Sequence, residues 1–378
     1  MNMERIELRL VRMPLRSPFQ TSFGTESERE CIIVSVQSNG LTGWGECAAA
    51  RGFTGEGGAQ LDWNLYSYET TQTAWHVLRD FLIPQLLKRP LSVEYMVALG
   101  ARLRGHPLAR AGLEAALWDL TAQLEGISLS RALGGTREKA PVGVSIGIQP
   151  SVEALVDTAD EYLAQGYRRI KIKIKPGFDI EPVKHIRARH PDLLFQVDAN
   201  SAYALADAPL FEAMDEYRLL LIEQPLGWDD IYEHSRLQPR LRTPICLDES
   251  IHAAGHARLA IELGATRVIN IKPGRVSGFS ESRRIHDLCR SAGVPVWCGG
   301  MLETGIGRAG NVALASLPGF TLPGDISASD RYYVEDIIDP PFVLNPDSTL
   351  DVPQGAGLGV SVNLERLGRF TVRREVFE

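Results

Sequence analysis

The chain has 378 residues, of which 44% are hydrophobic and 23% charged, the balance of a soluble globular protein with one large domain or two ordinary ones. Its 40 basic and 47 acidic residues leave a formal charge of −7, so no basic surface is on offer for nucleic acid, and no apolar run reaches the length of a membrane span. The stretch from Met1 to Arg12 is charged throughout and has no signal-peptide core, and the five scattered cysteines (Cys31, Cys47, Cys246, Cys289 and Cys298) read as reduced thiols of a cytoplasmic protein.

Strands come first. Ile6 to Val11 alternates, Cys31 to Val36 is β-branched and ends in the turn Ser38-Asn39-Gly40, and Gly43 to Cys47 reads as a third strand. A glycine-rich, irregular piece from Arg51 to Asn64 separates these from two helical patterns, Thr70 to Leu87 and Ala109 to Leu124. Strands followed by helices predict an α+β unit over residues 1 to about 130. From Pro141 the rhythm changes to strand, loop, helix, loop. Eight strands are expected: Val142–Ile148, Arg168–Lys175, Leu193–Ala199, Leu219–Glu223, Pro244–Asp248, Val268–Lys272, Pro295–Cys298 and Thr321–Asp325. Helices are expected over Val152–Gln165, Pro182–His190 and Ser280–Ala292. Strands alternating with helices imply parallel pairing, and eight of them imply a closed barrel. After Asp325 the chain is irregular and rich in Pro and Gly as far as Gly359; it is expected to pack back on the first unit.

Five charges keep time with these strands. Lys173, Asp198, Glu223, Asp248 and Lys272 follow one another at gaps of 25, 25, 25 and 24 residues, each at or near the end of a short apolar run. A charge at the end of five consecutive parallel strands points all five toward one mouth of the barrel, where catalytic residues of such barrels collect. Asp198, Glu223 and Asp248 are hard oxygen donors of the kind Mg²⁺ prefers. Capping of nearby helices or pairing with lysines would explain any one of them, but is a poor account of three in successive units. Lys171 and Lys173, two apart on a strand, face the same way; Lys175 shares their parity but precedes Pro176-Gly177 and belongs to the loop. Burial, a second lysine and a divalent cation would all pull a lysine pKa below its ordinary value of about 10.4, toward what a general base needs. Lys272 would approach from the far side. Two bases flanking one carboxylate substrate suit removal of the proton next to that carboxylate, with the metal neutralising the ene-diolate.

Two other motifs compete. Gly305-Ile306-Gly307-Arg308-Ala309-Gly310 fits a dinucleotide-binding pattern but opens no βαβ unit, so a glycine-rich barrel loop is the expectation. Gly143-Val144-Ser145-Ile146-Gly147 fits the serine-hydrolase elbow, with Ser145, Asp248 and His286 in a possible triad order. Its residues alternate as the body of a strand, and a triad leaves the lysines unexplained. None of the eight histidines has zinc-type spacing.

The segments Lys171-Ile172-Lys173, Asp198-Ala199-Asn200, Ile222-Glu223-Gln224-Pro225, Leu247-Asp248-Glu249-Ser250 and Asn270-Ile271-Lys272-Pro273-Gly274-Arg275 resemble the enolase superfamily, in its muconate-lactonising subgroup. Gly299 to Gly305 and Leu322 to Ser329 narrow the resemblance to the branch of N-succinylamino acid (N-acylamino acid) racemases and o-succinylbenzoate synthases. It covers nearly the whole chain. It implies an α/β fold: a modified TIM barrel, (β/α)7β, over residues 131–334, under an α+β N-terminal capping domain of residues 1–130 completed by about 335–378. It implies Mg²⁺ or Mn²⁺ on Asp198, Glu223 and Asp248, with Lys173 and Lys272 as opposed acid/base groups. Lys171, Ser145, Asn200, Gly300, Met301 and Leu302 would contact substrate, and Glu249, Asn270, Arg275 and Asp325 would stand behind the site. For Arg275 the residues alone leave a surface cation at a helix start equally open.

Two features depart from or refine the pattern. Arg51 to Asn64 looks like an insertion of roughly ten residues in a loop that, with Pro18–Gly24, covers the substrate in this superfamily. The eighth strand ends Asp325-Ile326-Ser327, without the Asp-x-Asp that dipeptide epimerases use for a free ammonium, which argues for an acylated amine. The resemblance therefore implies racemisation of N-succinyl or other N-acylamino acids by two-base 1,1-proton transfer. The alternative is the dehydrating lyase reaction of menaquinone synthesis, o-succinylbenzoate synthase, with the same ligands and lysines, and some members of the branch do both. A non-catalytic binder of an acidic metabolite would not need opposed bases. The expected partner is a small carboxylate, with no nucleic acid and no membrane, and homo-oligomers are common in the superfamily.

Overall fold

The structure is a computed structural model that describes residues 3–22, 24–49 and 66–378. The inserted stretch Arg51–Asn64 lies outside the described residues, as does Phe23 of the Pro18–Gly24 loop. The first sheet contains β1 (Arg5–Gln20), β2 (Thr25–Ser38) and β3 (Leu41–Cys47), paired antiparallel in that order. Asn39 and Gly40 both take positive φ, 51° and 73°, the twist a two-residue hairpin turn needs. β1 runs as far as Gln20, so Pro18, Phe19 and Gln20 of the expected Pro18–Gly24 loop are strand.

The helix expected over Thr70–Leu87 starts at α1 (Thr71–Val77), capped by the Thr70 hydroxyl, and widens into a π turn over Leu78–Leu82. Pro84, two residues on, has no N–H to give to the ladder, and the regular helix resumes over Ile83–Leu86. The next long helix, α2 (Pro107–Glu125), lies flat on β3. That approach requires glycine: a Cβ on Gly45 would overlap the carbonyl oxygen of Gly112 and lie 2.6 Å from Ala116 N. We expect Gly45→Ala to lower stability by about 1–3 kcal/mol, the usual range for overpacking, measured as a shift of the urea midpoint at unchanged slope.

The second sheet holds β4 (Val144–Ile146), β5 (Arg169–Lys173), β6 (Leu194–Asp198), β7 (Ile222–Glu223), β8 (Ile245–Leu247), β9 (Val268–Ile271) and β10 (Val296–Cys298), all parallel and side by side in chain order. Helices α3 (Val152–Ala164), α4 (Ile180–Arg189) and α5 (Phe279–Ser291) return the chain between strands. The expected eighth strand is corrected. Thr321–Asp325 makes only one isolated parallel bridge, Val142 with Gly324, and Phe320 just before it makes another with Val296; Pro323 has no N–H to contribute to a ladder. The segment still bonds to both outer strands: Gly143 N donates to Gly324 O at 2.8 Å and Asp325 N to Cys298 O at 2.9 Å. Those bonds close the ring, as a barrel requires.

Gly305–Gly310 is also corrected. It is not a loop but the start of helix α6 (Gly305–Ala315). The Thr304 hydroxyl caps it, and Glu46 from β3 accepts hydrogen bonds from Thr304 N and Gly307 N at its first turn. A carboxylate at a helix N-terminus compensates the open N–H groups, so tertiary contact overrides three glycines' reluctance. The chain's end forms β11 (Thr371–Phe377), which pairs antiparallel with β1 as the fourth strand of the first sheet. No helix among the described residues is long and apolar enough to cross a membrane.

Candidate active site

Alternation along parallel strands sends every second side chain into the barrel. On β5 this inner row is Arg169, Lys171 and Lys173, all buried. On the next strands it brings in Asp198, Glu223 and, just past β8, Asp248, whose exposures are 1%, 0% and 0%. Asp198 stands in register with Lys173 on one side and Glu223 on the other. Lys272 follows β9 directly. The five charges of the 25-residue rhythm thus meet on five neighbouring strands, lysines outermost and carboxylates between them.

Their contacts are short. Lys173 Nζ lies 2.6 Å from Asp198 Oδ2 and 2.8 Å from Asn200 Oδ1. Lys272 Nζ lies 2.6 Å from Asp248 Oδ2. Lys171 Nζ is held by three carboxylates: Asp325 at 2.6 Å, Glu223 at 2.7 Å and Asp198 at 3.0 Å. Arg169, fully buried below it, grips the other oxygen of Asp325 at 2.6 Å. Both cations lie against the Trp297 ring, 5.1 Å for Lys171 and 5.7 Å for Arg169, a favourable electrostatic contact. Asn270 donates to Glu223 Oε1 at 2.7 Å and Asn200 to Glu249 Oε1 at 3.0 Å. Arg275 is not a surface cation. It is 4% exposed, bonds the carbonyl of Ile251 at 2.7 Å and pairs with Asp248. Gly299 keeps room for the far base, since a Cβ there would come within 2.6 Å of Lys272 Cε. Gly300, Met301 and Leu302 form the loop beyond β10, where Glu303 accepts from Met301 N at 2.7 Å and Leu302 takes a left-handed φ of 56°. Ser145 sits inside β4 with its hydroxyl buried and, among the described residues, without a hydrogen-bond partner. His286 stacks on Phe320 and bonds Gly319 N, so no triad forms with Ser145.

Electrostatics corrects one expectation. Burial alone pushes the amines of Lys171 and Lys272 down, but the carboxylates packed on them win, and both pKa values are raised well above the ordinary value. Each ammonium here neutralises an acid directly, which favours the charged form. Conversely, burial works to raise Asp248, and Lys272 with Arg275 outweigh it, holding the carboxyl at about 2. Glu223 goes the other way: burial, then the charge of Asp198 and of Asp248, pushes it well above the usual range, beyond what Lys171 recovers.

Among the described residues no three His, Cys, Asp or Glu side chains come together closely enough to hold a metal ion as they stand; Lys171 bridges two of the acids instead. The donor set nevertheless fits a hard divalent cation. Three buried carboxylates on adjacent strand ends repel one another through Glu223, and a small oxygen-seeking ion relieves that repulsion with few protein ligands.

Three contributors were not singled out from the sequence. Arg169 and Trp297 set the floor under Lys171; a buried arginine at the start of an inner row was the available signal. Tyr66 reaches in from the segment before α1. Its hydroxyl donates to Asp248 Oδ1 at 2.9 Å and accepts from Lys272 Nζ at 3.2 Å, and nothing in its local pattern marks it. Glu69, three residues on, anchors that segment by accepting from Leu108 N and Ala109 N at 2.7 and 2.9 Å. Burial raises the Glu69 carboxyl from 4.5 to about 7, against the opposing pull of those two hydrogen bonds. A folded pKa above the unfolded one means stability that is present in full below about pH 4.5 and lost as pH rises through about 7. In Glu69→Gln the fall of the thermal midpoint between those pH values should be shallower than in the wild type.

Residues 154–367 match the family model described as Enolase C-terminal domain-like, and residues 5–134 match that of the mandelate racemase / muconate lactonizing enzyme N-terminal domain. The chain belongs to the enolase superfamily. It is 48% identical over 378 residues to an o-succinylbenzoate synthase of Geobacillus kaustophilus, covering 100% of this chain and 98% of that one. To an N-succinylamino acid racemase of Amycolatopsis sp. it is 49% identical over 376 residues, with 99% of each chain covered. Its fold superposes on a crystal structure of an enolase superfamily member from Listeria innocua with a TM-score of 0.93 at 39% identity, covering 100% and 99% of the two chains.

Proposed function

We propose that this protein racemises N-acylamino acids, N-succinylamino acids in particular: one lysine takes the α-proton from one face of the α-carbon and a second lysine delivers its own proton to the opposite face. The observation that carries the reading is the placement of Lys173 and Lys272 on the outer two of five neighbouring strands, each seated on a different buried carboxylate with Glu223 between. Asp198, Glu223 and Asp248 would hold Mg²⁺ or Mn²⁺. When bound, the ion supplies positive charge against the substrate carboxylate and the charge that grows on it as the proton leaves. Lys173 and Lys272 stand at opposite ends of this row of acids, so that the amine of one can accept the α-proton from one face while the ammonium of the other delivers a proton to the opposite face. Lys171, pinned by Asp325, which Arg169 holds by its other oxygen, and Ser145, whose buried hydroxyl has no partner among the described residues, are placed to bind the substrate carboxylate and its acyl group. Asn200, Gly300, Met301 and Leu302 complete the lining, and Glu249, Asn270, Arg275 and Asp325 hold the groups that touch substrate. Position 327 is a serine bonded to Gly143 O, so no second carboxylate is there to seat a free ammonium; an acylated amine suits the site.

Relatives of similar identity carry both names, which favours a second reading, o-succinylbenzoate synthase, on the same residues. The reading further takes residues 1–130 with 335–378 as the capping domain over a barrel of 131–334; the pairing of β11 with β1 and the end of the N-terminal family model at residue 134 support it. A cytoplasmic setting is supported by five free, buried cysteines, and a homo-oligomer by family likeness alone. The test is incubation with Mg²⁺ and a panel of N-succinyl-L-amino acids in D₂O. The expected result is α-deuterium incorporation and accumulation of the D-enantiomer. No exchange across the panel, with metal shown to bind, would overturn the racemase; an absorbance assay on the cyclohexadiene precursor then decides the lyase.

A further inference from the structure

We propose that Tyr66 is the positioning residue of Lys272, so that the two faces of the site are aimed by different parts of the chain; this rests on the two-base reading above. The two lysines have matching surroundings. Each amine has one carboxylate at 2.6 Å, Asp198 for Lys173 and Asp248 for Lys272. Each also has one neutral oxygen. For Lys173 it is the amide of Asn200 at 2.8 Å; for Lys272 it is the phenol of Tyr66 at 3.2 Å. Asn200 is itself fixed, its backbone N on Asp198 Oδ1 at 2.9 Å and its side-chain nitrogen on Glu249. Tyr66 is fixed in the same manner by donating its hydroxyl to Asp248 Oδ1 at 2.9 Å.

That donation decides what Tyr66 can do for Lys272. A phenol has one proton to give. With it committed to Asp248, the oxygen faces the amine only as an acceptor, so the amine turns one N–H toward Tyr66 and another toward Asp248 Oδ2, which fixes the direction of the third. The ring adds to this, its centroid 4.5 Å from Nζ, within reach of a cation–π attraction. Two links from one side chain, with Asp248 as the third point, leave a four-carbon lysine little freedom. Lys173 has no contact with Tyr66: its aim comes from Asn200, on the loop after β6. Tyr66 instead arrives on the segment before α1, which Glu69 pins to the start of α2. Phenylalanine would fill the space as well as tyrosine if packing were the whole role, and that contrast makes the proposal testable.

The experiment uses the full chain saturated with Mn²⁺ and follows α-proton exchange in D₂O from pure L- and pure D-N-succinyl substrates. The Lys272 face is the one whose exchange Lys272→Ala abolishes. In Tyr66→Phe, exchange on that face should slow by about tenfold, as a small misplacement of a reacting group does, while the Lys173 face changes by less than about twofold. Tyr66→Leu, which also removes the ring, should slow the Lys272 face further. Independently of turnover, a Mn²⁺ titration followed by electron paramagnetic resonance should show affinity falling by about tenfold in Tyr66→Phe, because Asp248 loses its hydrogen-bond donor. Equal slowing of both faces, or full-rate exchange on both, overturns the proposal. Absence of exchange in the wild type overturns the racemase reading instead, and the Mn²⁺ titration still reports whether Tyr66 supports Asp248.

Discussion

Lys272→Ala should lose exchange of the α-proton from one enantiomer of an N-succinylamino acid and keep it from the other, and Lys173→Ala should do the reverse. Net racemisation should disappear in both. The expected loss on the affected face is about 10²–10⁴-fold, the range for a positioned acid/base group. The two variants should remain folded, because neither strands a charge. Asp248 keeps Arg275 and Tyr66 when Lys272 is gone. Asp198 keeps Lys171 and the Asn200 backbone N–H when Lys173 is gone. Deuterium incorporation from each pure enantiomer, followed by proton NMR, checks the result. A single variant that racemises at full rate would show that the lysine it lacks is not one of the two bases.

Glu223→Gln should separate stability from function. Its carboxyl is pushed up by burial and by Asp198 and Asp248, so as an anion it strains the site it belongs to. A neutral amide of the same shape removes a repelled charge while leaving Lys171 two other carboxylates, Asp198 and Asp325. The thermal midpoint of the metal-free variant should therefore equal or exceed that of the wild type. The gain in midpoint that Mg²⁺ gives the wild type, which follows from binding the folded state alone, should vanish. Metal affinity should fall by more than about a hundredfold, beyond the effect of losing an outer partner, and proton exchange should fall below detection on both faces at once. Calorimetric melts with and without Mg²⁺ read both effects. A variant that melts lower without metal and still gains stability with it would remove Glu223 from the ion's ligands. The pairing of a strained acid with a required one is what functional sites commonly show.

What could be read from the chain follows from periodicity. Alternation of two along a strand and a near-constant interval between strands depend on neighbouring residues only. They were enough to put Lys171 with Lys173, to seat five charges on five strands, and to find β1, β2, β3 and the seven parallel strands from Val144 to Cys298. The misreadings came where non-neighbours decide. Gly305–Gly310 has poor helix propensity, and Glu46, far away in the chain, holds its first turn. Thr321–Asp325 has a strand's composition, but Pro323 interrupts it and two separate edges claim its bonds.

The amino-acid sequence by itself determined the chemical inventory of the site and its order around the barrel, because charge type and spacing are local properties of the chain. Only the tertiary structure decided which acid each base sits on, that Lys171 is clasped by three carboxylates above Arg169 and Trp297, and that Tyr66 reaches Lys272. Those contacts join residues up to 206 positions apart. The lateral register of strands and the docking of a distant segment set them, and neither leaves a period in the sequence.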